Sequence, residues 1–176
     1  MVVNYDSVIN GGNAFFDMRG NRIFINLDKM AWPLPHEMGH AINKTISRLG
    51  KILNKMKVPG VILSSLAFYS ALLKRKKVEG EEPNGMFDKI TTFFKNNCGK
   101  LTFLGFLPVI AEEALASKNG LKEIKATSPE HILKLLKTGN KSAWLTYLGI
   151  GLCSTAVAVV ASKVRDAIAK PKEIKQ

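Results

Sequence analysis

Between Lys141 and Lys163 the chain runs for 21 residues, Ser142 to Ser162, without a charge. As a helix, a stretch of that length can cross a hydrocarbon core of about 30 Å, and a water-soluble domain accepts it only as a helix buried on every side. The flanks favour the crossing. Trp144 and Tyr147 lie near one end, and a lysine stands outside each end, as interfacial anchors do. Gly149, Gly151, Ser154, Ala156, Ala158 and Ala161 are small and let another helix approach closely.

A second uncharged run, Val58 to Leu73, is shorter. As a helix it rises about 24 Å, so it is a marginal span, a re-entrant helix or a core helix. The basic cluster Lys74-Arg75-Lys76-Lys77 behind it suits an interface. After the turn-rich Glu79 to Gly85, residues Met86 to Asn97 place Met86, Phe87, Ile90, Phe93 and Phe94 on one helical face, a pattern that suits a membrane interface or a core contact. The formal charge of +12 comes from lysines that flank apolar segments. They do not form one aromatic-interleaved patch, which points to a membrane surface as partner and away from nucleic acid. Cys98 and Cys153 stand alone, without a CxxC, and read as packing residues. Met1 to Asn13 lacks a basic region followed by an apolar one and does not read as a signal peptide.

The chemistry concentrates in His36-Glu37-Met38-Gly39-His40. On a helix, residues i and i+4 stack on one face, so both imidazoles can reach one ion. Two neutral imidazoles hold Zn²⁺ and leave positions open, and the ion lowers the pKa of a bound water to roughly 7. Glu37 sits one position round, placed to touch that water and poorly placed as a third ligand, which is the position of a general base. With three histidines in 176 residues, chance supplies roughly 0.003 such matches in a chain of this composition, so the motif carries information. The alternative is a helix with two incidental histidines.

The missing ligand has candidates further along. Leu101 to Ser117 is apolar until Glu112 and Glu113. Carboxylates there are costly unless paired or metal-bound, and either one can be the third ligand; otherwise the helix surfaces and both are solvated. Asn119-Gly120 is the expected end of this helix. Thr127-Ser128-Pro129-Glu130 begins a short helix to about Lys137, ahead of Gly139-Asn140. It carries His131, which can steady an oxyanion beside a metal, or is a plain exposed histidine.

Ahead of the motif, residues 13–18 and 22–27 are β-prone runs around Arg19-Gly20-Asn21 and read as a β-hairpin. It either covers the helix or offers an edge to an extended peptide. Trp32-Pro33-Leu34-Pro35 breaks the chain, with Pro35 suited to open the motif helix. That helix is expected to continue through Ile42, Ile46, Leu49 and Leu53, whose spacing makes an apolar packing stripe.

Taken in order, Asn13-Ala14-Phe15, the strand from Arg22 to Leu27, the HEMGH helix and Glu113-Ala114-Leu115-Ala116-Ser117 resemble the gluzincin pattern of the HtpX-type membrane zinc metalloproteases, a family that includes the CAAX prenyl endoproteases. The resemblance covers roughly residues 10 to 120. It implies Zn²⁺ held by His36, His40 and Glu113, Glu37 as general base, and a substrate strand carrying Asn13 and Ala14. Ser117 stands where that family has an aspartate that orients the first histidine.

The expectation is a mainly α chain with a small N-terminal β-hairpin: a zincin-like helical core with one to three membrane-associated helices. Residues 1–141 would form the core, with a short membrane hairpin over 58–112, and 142–176 a transmembrane helix and basic tail. The expected activity is zinc-dependent cleavage of a peptide or protein substrate at a lipid bilayer. A catalytically silent zincin-like membrane or interaction protein is the alternative.

Overall fold

The computed structural model describes residues 2–5 as backbone and residues 14–26, 32–74 and 82–169 in full. Asn13, the basic residues 75–77 and the tail from residue 170 lie outside the described residues. Among the described residues three strands, β1 (Val2–Tyr5), β2 (Ala14–Asp17) and β3 (Arg22–Ile25), precede five helices: α1 (Leu34–Thr45), α2 (Arg48–Leu73), α3 (Gly85–Asn96), α4 (Cys98–Ile124) and α5 (Glu130–Ile168). The mainly α architecture with an N-terminal hairpin is as expected. Two of the helices, α2 and α5, are long and apolar enough to cross a membrane.

β2 and β3 pair antiparallel, Ala14 opposite Ile25 and Asp17 opposite Arg22. The hairpin has one buried face, since Ile23 and Ile25 are fully buried and alternate residues share a side of a strand. On the other face Phe15 and Phe24, directly opposite, stack at 4.9 Å. The turn is local chemistry: the Asp17 carboxylate accepts the N–H groups of Arg19 (2.9 Å) and Gly20 (2.8 Å), and Asn21 adopts a φ of 52°. β1 adds a strand that the mixed N-terminal sequence did not announce. It lies parallel to β3, so β3 is central and β2 is an edge of the sheet.

The chain forms two compact units. Residues 1–56 with 108–148 make the first, and residues 57–107 with 149–176 make the second.

In the first unit α1 and α4 meet backbone to backbone. A Cβ on Gly39 would overlap the Ala116 carbonyl, and one on Gly120 would overlap the Pro35 carbonyl. Glycine at both places is what permits the approach. Gly120 therefore does not end its helix, as expected from Asn119-Gly120; α4 runs on to Ile124 because that glycine is a contact point inside it. The expected continuation of α1 through Leu53 is also corrected. The helix stops at Thr45, and α2 starts afresh with Ser47 Oγ accepting the Gly50 N–H at 3.1 Å, a capping bond. Ile46 and Leu49 are exposed, so the apolar stripe is not the packing face. The face that α1 buries is polar and small: His36, Glu37, Gly39, His40, Ala41 and Asn43.

The short helix expected to close before Gly139-Asn140 does not close. α5 passes through both residues unbroken, with Gly139 against the Trp32 ring and Asn140 buried. The uncharged run Ser142–Ser162 is thus the later part of a 39-residue helix.

In the second unit the interior is small or polar and the exterior is apolar. Ala67, Ala71 and Ala158 are fully buried, and Ser64 donates to the Thr102 carbonyl at 2.9 Å. Gly105 lies against the Gly60 carbonyl and Ser64. Lys95 is buried too, donating to the carbonyls of Ala71 (3.3 Å) and Ser162 (2.8 Å) and pairing with Asp166 at 3.1 Å. Val58, Ile62, Leu73, Phe87 and Val160 are all more than half exposed. That is the reverse of a water-soluble interior.

Candidate metal centre

Three potential ligand atoms converge where α1 meets α4. His36 Nε2 lies 3.1 Å from His40 Nε2 and 3.2 Å from Glu113 Oε2, and His40 Nε2 lies 3.5 Å from the same Glu113 oxygen. The imidazoles come from one helix at i and i+4, their rings nearly perpendicular at 86°. The carboxylate comes from 73 positions further on. Its arrival depends on the close approach at Gly39, since Ala116 is one helical turn beyond Glu113 on α4. All three side chains are buried, as is Glu112, so the alternative in which both carboxylates are solvated is overturned.

The donor set fits a small tetrahedral ion. Ligands about 2.0–2.1 Å from a tetrahedral centre stand roughly 3.3–3.4 Å from one another, and the three separations bracket that figure. His36, His40 and Glu113 can therefore hold a metal ion together. Glu112 takes a different place. Its Oε1 lies 3.0 Å from His40 Nδ1, the far side of the ring from Nε2, and accepts a second hydrogen bond from Asn43 Nδ2 at 2.8 Å.

Each imidazole is held by its Nδ1. His40 Nδ1–H donates to Glu112. His36 Nδ1 lies 3.1 Å from Ser117 Oγ, whose own hydroxyl donates to the Glu113 carbonyl at 3.0 Å. With its proton so used, Ser117 accepts from His36 Nδ1–H. With Nδ1–H committed to these acceptors, each ring presents its Nε2 to Glu113, the nitrogen that a metal would take once its proton leaves. Asn119 completes the network by donating to Asn43 Oδ1 at 2.7 Å. Ser117 thus takes up the orienting contact through a hydroxyl.

Charge follows from this packing. Burial by itself would lower the His40 imidazole, but hydrogen bonds with Glu112 and Glu113 carry it up to about 10. Burial would raise Glu113, and its hydrogen bonds with His36 and His40 bring it down to about 2. For Glu37 burial is the largest influence and pushes the carboxyl above its usual range, against the pull of His40 and His36. The ligand-capable atoms of His36, Glu37 and His40 lie within 4.8 Å of one another. Glu37 also accepts the backbone N–H of Phe16, which ties the motif helix to β2, the edge strand.

No protein-family model matches the chain, and no curated protein or solved structure matches it. The cluster therefore stands on its own geometry.

Of the residues singled out in the sequence, His36, Glu37, His40, Glu112 and Glu113 are brought together. Ala14 begins β2 and is buried, and Asn13 lies outside the described residues. His131 is exposed in the first turn of α5 and is not among the side chains gathered around the imidazoles. Asn43 and Asn119 were not anticipated. Asn43 is three residues beyond His40, a spacing that puts both on one face, and that spacing is the signal that marks it.

Proposed function

We propose that the protein is a membrane-associated zinc endopeptidase with the gluzincin arrangement. The observation that carries the reading is the convergence of His36 Nε2, His40 Nε2 and Glu113 Oε2 to within 3.5 Å of one another, with Glu37 beside them. His36, His40 and Glu113 would hold the zinc. When bound, that ion supplies Lewis acidity toward a peptide carbonyl and makes water acidic enough to attack near neutral pH.

The remaining work belongs to the chain. Glu37, raised by burial, takes the proton of the attacking water on its carboxylate and returns it to the leaving amine. Glu112 and Ser117 hold the imidazoles in register through their Nδ1 atoms. β2 is a sheet edge linked to Glu37 through the Phe16 N–H, so an extended substrate laid along it would pass the base. The apolar exterior of the second unit and the length of α2 and α5 support a bilayer as the setting.

The test is zinc content and casein hydrolysis by the purified chain in detergent. The reading expects about one zinc per chain, activity lost on chelation, and a fall of about 10²- to 10⁴-fold in Glu37→Gln with zinc retained. Stoichiometric zinc with no proteolysis in any detergent would establish instead a silent zincin-like protein. Absence of zinc, with no change in His36→Ala, would make the motif incidental.

A further inference from the structure

A separate cavity of about 210 Å³ opens within the first unit, between α4 and α5. α4 contributes Ala114, Ser117 and Lys118, and α5 contributes Lys137, Asn140 and Lys141. Each set follows helical spacing, so two stripes face each other. The small side chains of Ala114 and Ser117 leave room opposite Asn140. Asn140 is 2% exposed, and among the described residues neither its Nδ2 nor its Oδ1 has a hydrogen-bond partner. A buried amide in that condition normally finds one.

The chemistry of the lining selects the ligand. Among the described residues that line the cavity none is acidic, and three are lysines. Lysines offer only donors, and the Asn140 amide adds two more. A compact group with several acceptor oxygens and negative charge satisfies all of them, and the volume suits such a group better than a peptide or a nucleotide. Lys137 and Lys141 are also the last charges before the uncharged run, and Trp144, one turn beyond Lys141, lines the same cavity. If α5 spans a bilayer, the cavity sits at the depth of lipid headgroups.

We propose that this cavity binds a phosphate group through Asn140, Lys118, Lys137 and Lys141. The proposal does not depend on the protease reading, because none of these four side chains belongs to the metal cluster. Ser117 belongs to both, forming a wall here and contacting His36 there.

The experiment is thermal unfolding of the purified, metal-free full chain in neutral detergent, titrated with inorganic phosphate against chloride at matched ionic strength. Phosphate is expected to raise the midpoint saturably, as a ligand of the folded state does. Asn140→Leu, which removes the unpaired amide, should fold and lose the response. The exposed triple change Lys118→Gln, Lys137→Gln, Lys141→Gln should weaken phosphate roughly tenfold or more, and Lys134→Gln, outside the cavity, should not. Micelles doped with phosphatidylglycerol identify the source. A raised midpoint that phosphate no longer improves assigns the site to a lipid headgroup, and an unchanged phosphate response assigns it to the free anion. No saturable response to phosphate or to the doped micelles, or a response unaltered in both cavity variants, overturns the proposal.

Discussion

Ser117 Oγ stands 3.1 Å from His36 Nδ1 and donates its own proton to the Glu113 carbonyl one turn back. One hydroxyl therefore sets the tautomer of one proposed ligand while it is anchored to the backbone of another. A serine can accept from imidazole but supplies no negative charge, so it orients the ring without increasing its basicity as a carboxylate does.

This relationship predicts graded metal affinity. Ser117→Ala should weaken zinc by roughly 10- to 100-fold, the usual cost of losing an orienting partner. Ser117→Asp should bind at least as tightly as the parent, because the carboxylate restores both the acceptor and the charge. Competition with a chromophoric chelator measures both. Equal affinity in Ser117→Ala would mean that the hydroxyl contact does not orient His36.

The two adjacent carboxylates should separate cleanly. Glu113→Gln should lose stoichiometric zinc, since its Oε2 is the atom near both Nε2 atoms. Glu112→Gln should keep zinc with affinity lowered roughly 10- to 100-fold, since it contacts only His40 Nδ1. Metal analysis of the two purified variants reads the outcome, and the reverse result would exchange their roles.

The metal-free protein should show a stability plateau with two limbs. His40 titrates at about 10 against an ordinary 6.5, so its contribution is complete below about pH 6.5 and is lost as pH rises through about 10. Glu113 titrates at about 2 against an ordinary 4.5, so its contribution is complete above about pH 4.5 and is lost as pH falls through about 2. Unfolding midpoints in chelator should be flat from these groups between about pH 4.5 and 6.5. Zinc must displace the His40 proton, so its uptake near neutral pH should release protons and tighten as pH rises. Midpoints in His40→Ala that retain the same alkaline limb would refute the assignment.

Gly39→Ala should damage both the fold and the site. The added methyl meets the Ala116 carbonyl, and neither helix backbone can yield without moving Glu113 away from the imidazoles. A loss of about 1–3 kcal/mol or more is expected, with zinc affinity falling alongside. Gly120→Ala should show a comparable stability loss through Pro35. Denaturant midpoints with and without zinc check both, and a neutral Gly39→Ala would mean that α1 and α4 are not in backbone contact.

Much of this protein is local and therefore readable along the chain. The hairpin follows from β-prone runs around a turn whose Asp17 bonds the next residues. The imidazole pair follows from helical spacing, and the apolar runs inside α2 and α5 follow from the absence of charge over 58–73 and 142–162. Local readings failed where a residue served a distant partner. Gly120 and Gly139-Asn140 look like helix ends, yet they lie inside helices, because Gly120 lets another backbone approach, Gly139 lies against Trp32 and Asn140 lines a cavity. Which carboxylate reaches the imidazoles depended on the rotation of α4 against α1, which the Gly39–Ala116 and Gly120–Pro35 contacts set. Spacing decided that two histidines share a face. Only close packing across 73 residues decided that Glu113 joins them and that Glu112 steadies His40, because adjacent residues on a helix point about 100° apart and one contact face admits only one of them at a given point.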